Sequence, residues 1–336
     1  MKDSLRILIC RLGGIGDVIH TLPLIKYLRK EYKSASIEYL TSENISKLLS
    51  DSCPYIDRVW VFNKQNKKQL ASEILENGSV DYFFNLHNSL SFFLFNLLHI
   101  RAKKYFQYKK NNKLHAVVNF ARTYNSKLSA FDLDSKTIIV GEKNEILNKH
   151  DLKEYKYICI VPGVGRVRTH RAWTPENWID LGKYYLAYEK DHKVVFLGGE
   201  DEKRLIGYFS DIDERAVNLI GSLSLVESAQ IISKSLFLIS CDTGLLHLGA
   251  GMSKKVIGLY GPTLPERSGP FCGDCQIIKA RNCTCQRDLK SCHSTFDVRH
   301  SSLVNSGFCM NNLTVSEVLE QISIFSGQLS ALGTSV

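Results

Sequence analysis

Two short segments, residues 11–17 and 242–247, combine glycines with a carboxylate at points where a buried strand should give way to a helix. At such a turn the first backbone N–H groups of the helix are unpaired and lie at the positive end of its dipole. Each segment therefore suits the binding of an anion or the positioning of an acid. The first contributes Gly13, Gly14, Gly16 and Asp17, and the second contributes Asp242, Thr243, Gly244, Leu245 and His247.

The first segment lacks the glycine spacing of dinucleotide-binding proteins and of P-loop proteins. Its crowded glycines would instead let the backbone approach a ligand closely. Asp17 stands at the predicted helix start, where a carboxylate either caps the helix or acts as an acid–base group. Both interpretations of Asp17 stay open on its own spacing.

Two further loops follow strands of the second half of the chain. Gly261 and Thr263 follow the strand after the 242–247 segment, and residues 162–175 follow the first strand of that half. This second loop holds Gly163 and Arg171, and a planar guanidinium can bind two oxygens of a diphosphate at once. Together these loops predict a nucleotide or phosphate cradle.

Short apolar runs with strand character alternate with helical spacing along both halves of the chain. This alternation predicts an α/β protein of two doubly wound domains that face one another across a cleft. The first domain is predicted at 1–145, the second at 155–313, and a closing helix and tail at 314–336. Residues 141–156 are predicted to link them. The predicted strands are 7–10, 37–40, 58–62, 80–86, 157–161, 193–197, 217–220, 236–240 and 256–260.

The bulk composition is that of a soluble globular protein, with 44% hydrophobic and 23% charged residues. A net charge of +9 favours acidic partners such as nucleotide diphosphates, phosphorylated glycolipids or an anionic membrane face. No recognisable nucleic-acid-binding module accompanies this charge, and we expect no nucleic-acid partner. The N-terminal residues show no secretory pattern, and we expect a cytoplasmic protein.

The longest apolar stretch, residues 90–100, is interrupted by Asn96 and His99 and is too short to span a bilayer. It is predicted to form a buried helix. Residues 101–127, which follow it, contain eight Lys or Arg residues and no Asp or Glu. This basic segment is either a solvated surface or a patch for acceptor phosphates or for peripheral contact with the inner face of the cytoplasmic membrane.

Three segments taken together resemble glycosyltransferase family 9, whose heptosyltransferases transfer heptose from ADP-heptose during lipopolysaccharide core assembly. The resemblance implies the GT-B fold, in which an acceptor-binding Rossmann-like domain precedes an ADP-sugar-binding one. It also implies inverting transfer with no cofactor for catalysis. The matching segments are RLGGIGDVIHTLP (11–23), VPGVGRVRTHRAWTPENW (161–178) and DTGLLHLGAGMSKKVIGLYGPT (242–263).

The resemblance also implies roles for individual residues. Asp17 matches the base that deprotonates the acceptor hydroxyl, and Arg171 stands where many relatives have a lysine that stabilises the departing diphosphate. The implied acceptor is an anionic glycolipid of the lipopolysaccharide inner core. The alternatives are serines of an autotransporter-type protein, or donor binding without catalysis. Donor contacts are implied for Gly13, Gly14, Gly16, Gly163, Asp242, Thr243, Gly244, Leu245, His247, Gly261 and Thr263.

A cysteine-rich insertion at 265–312 stands apart from these motifs. Cys272 and Cys275 form a close pair, and with Cys292 and Cys309 they make a set able to bind zinc or iron tetrahedrally. The cluster is similar to the iron-binding cysteine motif of bacterial autotransporter heptosyltransferases. Cys283, Cys285, His293 and His300 lie in the same insertion and leave the choice of ligands open. We expect a structural iron or zinc ion here, with reduced free thiols as the alternative.

Overall fold

The structure is a computed structural model that describes residues 5–142, 145–281 and 308–326. It divides into two compact units, Met1–Gly141 and Glu142–Val336. Each unit is an α/β unit with a parallel sheet, so the predicted fold class is confirmed. Among the described residues, no helix combines the length and the apolar character that crossing a bilayer requires.

The first unit contains a five-stranded sheet in the order β3-β2-β1-β4-β5. Its central strand β1 pairs with β2 and β4, so that Ile7 lies opposite both Ile37 and Tyr82. All five residues of β1 are buried because helices cover both faces of a doubly wound sheet. The strands are β1 (Arg6–Cys10), β2 (Ser36–Thr41), β3 (Arg58–Val61), β4 (Tyr82–Asn85) and β5 (Lys104–Gln107). The helices are α1 (Ile15–Ile19), α2 (Leu22–Glu31), α3 (Glu43–Ser52), α4 (Lys67–Leu75), α5 (Leu90–Phe95, continued by a π-helical turn, Asn96–Ile100) and α6 (Ala116–Ala121).

The second unit contains a six-stranded sheet in the order β11-β10-β9-β6-β7-β8. Alternate residues of β6 point into two apolar clusters, with Ile158 and Ile160 in one and Tyr157, Cys159 and Val161 in the other. These two clusters therefore lie on the two faces of the sheet. The strands are β6 (Tyr157–Val161), β7 (Lys193–Phe196), β8 (Ala216–Asn218), β9 (Leu238–Cys241), β10 (Val256–Tyr260) and β11 (Cys275–Lys279). The helices are α7 (Glu145–Lys149), α8 (Pro175–Tyr188), α9 (Leu225–Lys234), α10 (Gly244–Gly251), α11 (Pro265–Ser268), α12 (Phe308–Asn311) and α13 (Val315–Ser326).

Each of the nine predicted strands overlaps an observed one, but β5 and β11 were not predicted. Both are edge strands of mixed polarity, so neither shows the continuous apolar run of a central parallel strand. The stretch 141–156, predicted as a linker, contains α7. Ile146 and Leu147 of this helix pack into the core of the second unit.

The prediction of a buried helix at 90–100 is correct about the helix and wrong about its burial. Phe92, Phe95 and Ile100 pack into the core of the first unit. The other side of the helix is exposed, because α5 leads to the edge strand β5 and has the sheet on one side only. Leu90, Phe93, Leu94, Leu97 and Leu98 are 40–71% exposed.

Candidate functional site

The predicted segments 11–17, 162–175 and 242–247 follow strands at which the strand order of each sheet reverses. In the first unit, loops after the neighbouring strands β1 and β4 meet at this point; in the second unit, the loops after β6 and β9 do so. Ligands of open α/β sheets bind in the crevice that such a reversal creates beyond the carboxyl ends of the strands. The topology therefore places the two predicted segments, 11–17 and 242–247, where this fold binds ligands.

Asp17 lies within the first turn of α1, and the residue that caps this helix is Gly14. The capping interpretation of Asp17 is therefore wrong. Its Oδ2 atom instead pairs with Nη2 of Arg11 at 2.8 Å. The Asp17 side chain is 48% exposed, whereas that of Arg11 is 13% exposed. The carboxylate is thus held by a fixed partner and remains accessible to a ligand.

Arg11 is held by the loop that follows β4. Its Nη1 atom donates to the carbonyl oxygen of Leu86 at 2.9 Å, and its guanidinium carbon lies 5.4 Å from the centre of the Phe120 ring. The neighbouring His87 bonds through Nδ1 to the carbonyl of Leu12 at 3.0 Å, and burial followed by the charge of Arg11 lowers the pKa of His87. Arg11 positions Asp17, a role that sequence reasoning missed. A basic residue at the strand end, six positions before the acid, was the available signal.

Gly13 and Gly14 form an open stretch of backbone beside Asp17. Gly13 has φ of +119°, a conformation that only glycine adopts without strain. A Cβ atom at either position would meet no other atom within 4 Å. This space suits the close ligand approach that was predicted for these glycines.

In the second unit two predicted residues converge on the buried carboxylate of a third, Asp242. Nη1 of Arg171, from the loop after β6, donates to Oδ2 of Asp242 at 2.7 Å. Nε2 of His247, from α10, lies 3.3 Å from the other oxygen, Oδ1. The side chains are 13%, 7% and 6% exposed for Arg171, Asp242 and His247 respectively. The sequence placed Asp242 and His247 in one segment and Arg171 in another, and the fold brings the two segments together.

Asp242 is ionised at neutral pH despite its burial. Burial by itself would raise the pKa of Asp242, but the hydrogen bond from His247, the charge of Arg171 and the proximity of Thr263 outweigh it and lower the pKa to about 2. The ionised carboxylate fixes the guanidinium of Arg171 in place. Arg171 therefore enters the site with a defined orientation.

Tyr260, at the end of β10, adds a polar atom close to this cluster. Burial, followed by the negative charge of Asp242, raises the pKa of the Tyr260 hydroxyl. Within the described ranges, this buried hydroxyl has no hydrogen-bond partner. A buried polar group without a partner is uncommon in native proteins, and a bound ligand or water molecule would satisfy it.

Thr243 and Leu245 orient the helix that follows Asp242. The Thr243 hydroxyl caps α10 by accepting from the backbone N–H of Leu246 at 3.3 Å, and it also bonds to Ser240 at 2.9 Å. Leu245 packs against the core. Helix α10 begins at Gly244, so its first backbone N–H groups directly follow the buried carboxylate.

Gly163 and Gly261 have a packing reason to be glycine. A Cβ atom at Gly163 would lie 2.0 Å from Cγ of Glu202, and one at Gly261 would lie 2.6 Å from the sulfur of Met310. Glu202 accepts hydrogen bonds from the backbone of Gly165 at 2.6 Å and Gly199 at 2.9 Å. This buried glutamate, which sequence reasoning missed, shapes the loop that precedes Arg171.

The cysteines predicted as metal ligands do not converge in the part of the chain that the structure describes. Cys272 and Cys275 form a disulfide and pack against the cluster on one face of the sheet. Cys309 is buried in the cluster on the other face, and Cys292 lies outside the described residues. A disulfide offers no thiolate to a metal. The described residues therefore show no four-cysteine site, and because Cys292 lies outside them the site stays a prediction.

Comparisons with known proteins identify the family of this chain. The family model of glycosyltransferase family 9 (heptosyltransferase) matches residues 99–296. Lipooligosaccharide heptosyltransferase 2 of Campylobacter jejuni (serotype O:6) is 20% identical over 319 residues, which cover 93% of this chain and 96% of that protein. Lipooligosaccharide heptosyltransferase 2 of Haemophilus influenzae is 33% identical over 69 residues, only 20% of each chain.

The structure of Escherichia coli ADP-heptose lipopolysaccharide heptosyltransferase II superposes with a TM-score of 0.76 at 18% identity, covering 97% of this chain and all of that one. At this identity the likeness speaks for the fold alone. The family match is stronger evidence because it covers more than half of the sequence. The chain therefore belongs to glycosyltransferase family 9, the heptosyltransferase family.

Proposed function

We propose that this protein is an inverting glycosyltransferase that moves heptose from ADP-heptose to a hydroxyl group of a lipopolysaccharide inner-core acceptor. The observation that carries the proposal is the half-exposed carboxylate of Asp17, which Arg11 holds at an open glycine loop. A carboxylate in this setting is suited to accept a proton from a bound hydroxyl. The names of the two relatives and of the solved structure support the choice of donor and acceptor.

In the proposed reaction the acceptor oxygen attacks the anomeric carbon of the heptose. Asp17 accepts the hydroxyl proton as the new carbon–oxygen bond forms. The bond between the anomeric carbon and the β-phosphate oxygen breaks, and ADP departs with the electron pair. Attack from the side opposite ADP inverts the anomeric configuration.

Arg171 and the start of α10 are proposed to bind the diphosphate. Negative charge grows on ADP as it departs, and a fixed guanidinium with backbone N–H groups stabilises this charge without rearranging. Asp242 and His247 act as positioning residues for Arg171. Because cationic and N–H groups fill the role that a metal plays in some glycosyltransferases, we expect turnover to survive chelation of divalent metals by EDTA.

Replacing Asp17 by Asn tests the proposed base. We expect turnover of ADP-heptose to fall by about a hundredfold or more, because the amide cannot accept the hydroxyl proton. Asp57→Asn is a matched control: the Asp57 side chain is 49% exposed and also pairs with an arginine, Arg29. Activity of Asp17→Asn within a few-fold of the parent, with the same thermal stability, would exclude the role of Asp17 as base.

A donor and acceptor screen separates the proposal from its alternatives. We expect release of ADP from ADP-heptose in preference to release of nucleotide from UDP-glucose or GDP-mannose, and labelled heptose in the lipid fraction. Label in a protein fraction would identify a protein heptosyltransferase instead. Donor binding without transfer or hydrolysis would identify a non-catalytic binding protein.

A further inference from the structure

Helix α5 and its π-helical turn carry an apolar stripe on the side that faces solvent. The stripe consists of Leu90, Phe93, Leu94, Leu97 and Leu98, whose spacing of i, i+3, i+4, i+7 and i+8 defines a single helix face. Leu90 is 71% exposed, Leu98 58% and Leu97 53%. We call these five residues the α5 stripe.

The α5 stripe is unusual because the opposite face of the same helix is also apolar. Phe92, Phe95 and Ile100 already anchor the helix to the core. A surface helix normally presents polar residues on its outer face, and a helix that is apolar all round is normally buried. A contiguous apolar patch on a surface generally marks a docking site.

Basic residues lie at both ends of the stripe. Lys67 of the neighbouring helix α4 donates to Ser91 at 3.2 Å at the start of α5, and Arg101 follows its last residue and is exposed. Helix α4 also carries Lys68 and one acid, Glu73, and a second acid, Glu76, follows its last residue. From residue 82 to residue 131 the chain contains no Asp or Glu at all. Its basic residues there are Arg101, Lys103, Lys104, Lys109, Lys110, Lys113, Arg122 and Lys127.

We propose that the α5 stripe docks this protein on the surface of an anionic phospholipid bilayer. The stripe enters the boundary between headgroups and acyl chains with the helix parallel to the membrane plane. Lys67 and Arg101, at the two ends of the stripe, bind the acidic headgroups, and this charge complementarity favours an anionic membrane as the occupant. The inference goes beyond glycosyl transfer and does not depend on it.

Vesicle flotation with the full chain tests the proposal. The probes are phosphatidylcholine vesicles and vesicles that combine phosphatidylcholine with phosphatidylglycerol. We expect a larger share of the protein to float with the second kind than with the first. Added salt should reduce that share toward the share seen with the first kind without abolishing binding, because the apolar contact is not screened. Leu94→Gln with Leu98→Gln should weaken binding by about tenfold or more, since two leucine side chains lose their transfer into the apolar phase.

Tyr184→Gln with Tyr188→Gln is the matched control, because these exposed residues have the same i, i+4 spacing on α8 of the second unit. A tryptophan introduced by Leu97→Trp should be quenched by brominated acyl chains if the stripe enters the bilayer. The proposal is overturned if the leucine variant and the tyrosine control float equally, or if no quenching occurs. A second copy of the chain could cover the stripe instead. The proposal is also overturned if light scattering shows a dimer that dissociates in the leucine variant and the parent protein does not bind vesicles.

Discussion

Asp242→Asn should destabilise the second unit by an amount that follows from the buried cluster around this carboxylate. The pKa of Asp242 is about 2, against an ordinary value of about 3.9, and each pKa unit corresponds to about 1.4 kcal/mol. The ionised carboxylate thus contributes about 2–3 kcal/mol at neutral pH. The substitution also leaves the charge of Arg171, whose side chain is only 13% exposed, without its carboxylate partner. Breaking a buried ion pair in this way costs about 3–5 kcal/mol. The pKa shift and the cost of removing the carboxylate beside Arg171 describe the same interaction, so the two figures are not added. We expect the free energy of unfolding to fall by about 3 kcal/mol.

The stabilisation that ionised Asp242 provides should depend on pH. Because folding lowers the pKa of Asp242, its stabilising contribution is complete above the unfolded pKa and is lost as the pH falls toward the folded value of about 2. The parent should therefore lose this contribution between about pH 5 and pH 2, whereas the Asn variant has no carboxylate to protonate. The difference in unfolding free energy between them should narrow over this range.

Urea unfolding monitored by tryptophan fluorescence measures this difference. Two of the three tryptophans, Trp173 and Trp178, are buried in the second unit, so a Trp60→Phe background confines the signal to that unit. Arg171→Gln, alone and combined with Asp242→Asn, completes a double-mutant cycle, in which we expect a coupling free energy above about 1 kcal/mol. A loss below about 0.5 kcal/mol for Asp242→Asn, or a difference that does not change with pH, would refute this account of the cluster.

The remaining predictions concern packing, a buried hydroxyl and the cysteines. Gly163→Ala should destabilise the chain by about 1–3 kcal/mol in urea, because its Cβ would lie 2.0 Å from Glu202, whereas Gly207→Ala, with no atom within 4 Å, should be close to neutral. Tyr260→Phe should leave the free energy of unfolding unchanged or raise it, because the hydroxyl has no hydrogen-bond partner within the described ranges. The same substitution should raise the KM for the donor if the donor forms a hydrogen bond with that hydroxyl. An unchanged KM would show that Tyr260 does not contact the donor. An alkylating reagent should label Cys272 and Cys275 only after reduction of the disulfide, as measured by mass spectrometry. If the purified protein instead contains iron or zinc and Cys275→Ser loses that metal, the result would favour the four-cysteine site.

The fold and much of the candidate site were predictable because they depend on local patterns. Central parallel strands are buried on both faces, so β1, β6, β9 and β10 appear as short apolar runs that any reading of hydropathy detects. This fold binds ligands at loops that follow such strands, so residues 11–17 and 242–247 were predictable as candidate ligand-binding segments. The order of the motifs also indicated the family.

Edge strands and the direction of helix faces were less predictable. Strand β5 carries the mixed sequence Lys104–Gln107, since an edge strand needs no continuous apolar run. The apolar character of residues 90–100 predicted a helix, but hydropathy cannot tell which side of a helix meets the sheet. Only the position of α5 beside the edge strand leaves Leu97 and Leu98 exposed.

The sequence by itself determined the two α/β units and the residue types at their strand ends, because strand and helix periodicities and the chemistry of side chains are local properties. The tertiary structure decided which of these residues meet. Arg11 holds Asp17 because the loops after β1 and β4 adjoin, and Arg171 reaches Asp242, 71 residues away, because β6 and β9 are neighbours in the sheet. Contacts of this kind depend on the order of the strands in the sheet. Long-range packing sets that order, and no local sequence pattern predicts it.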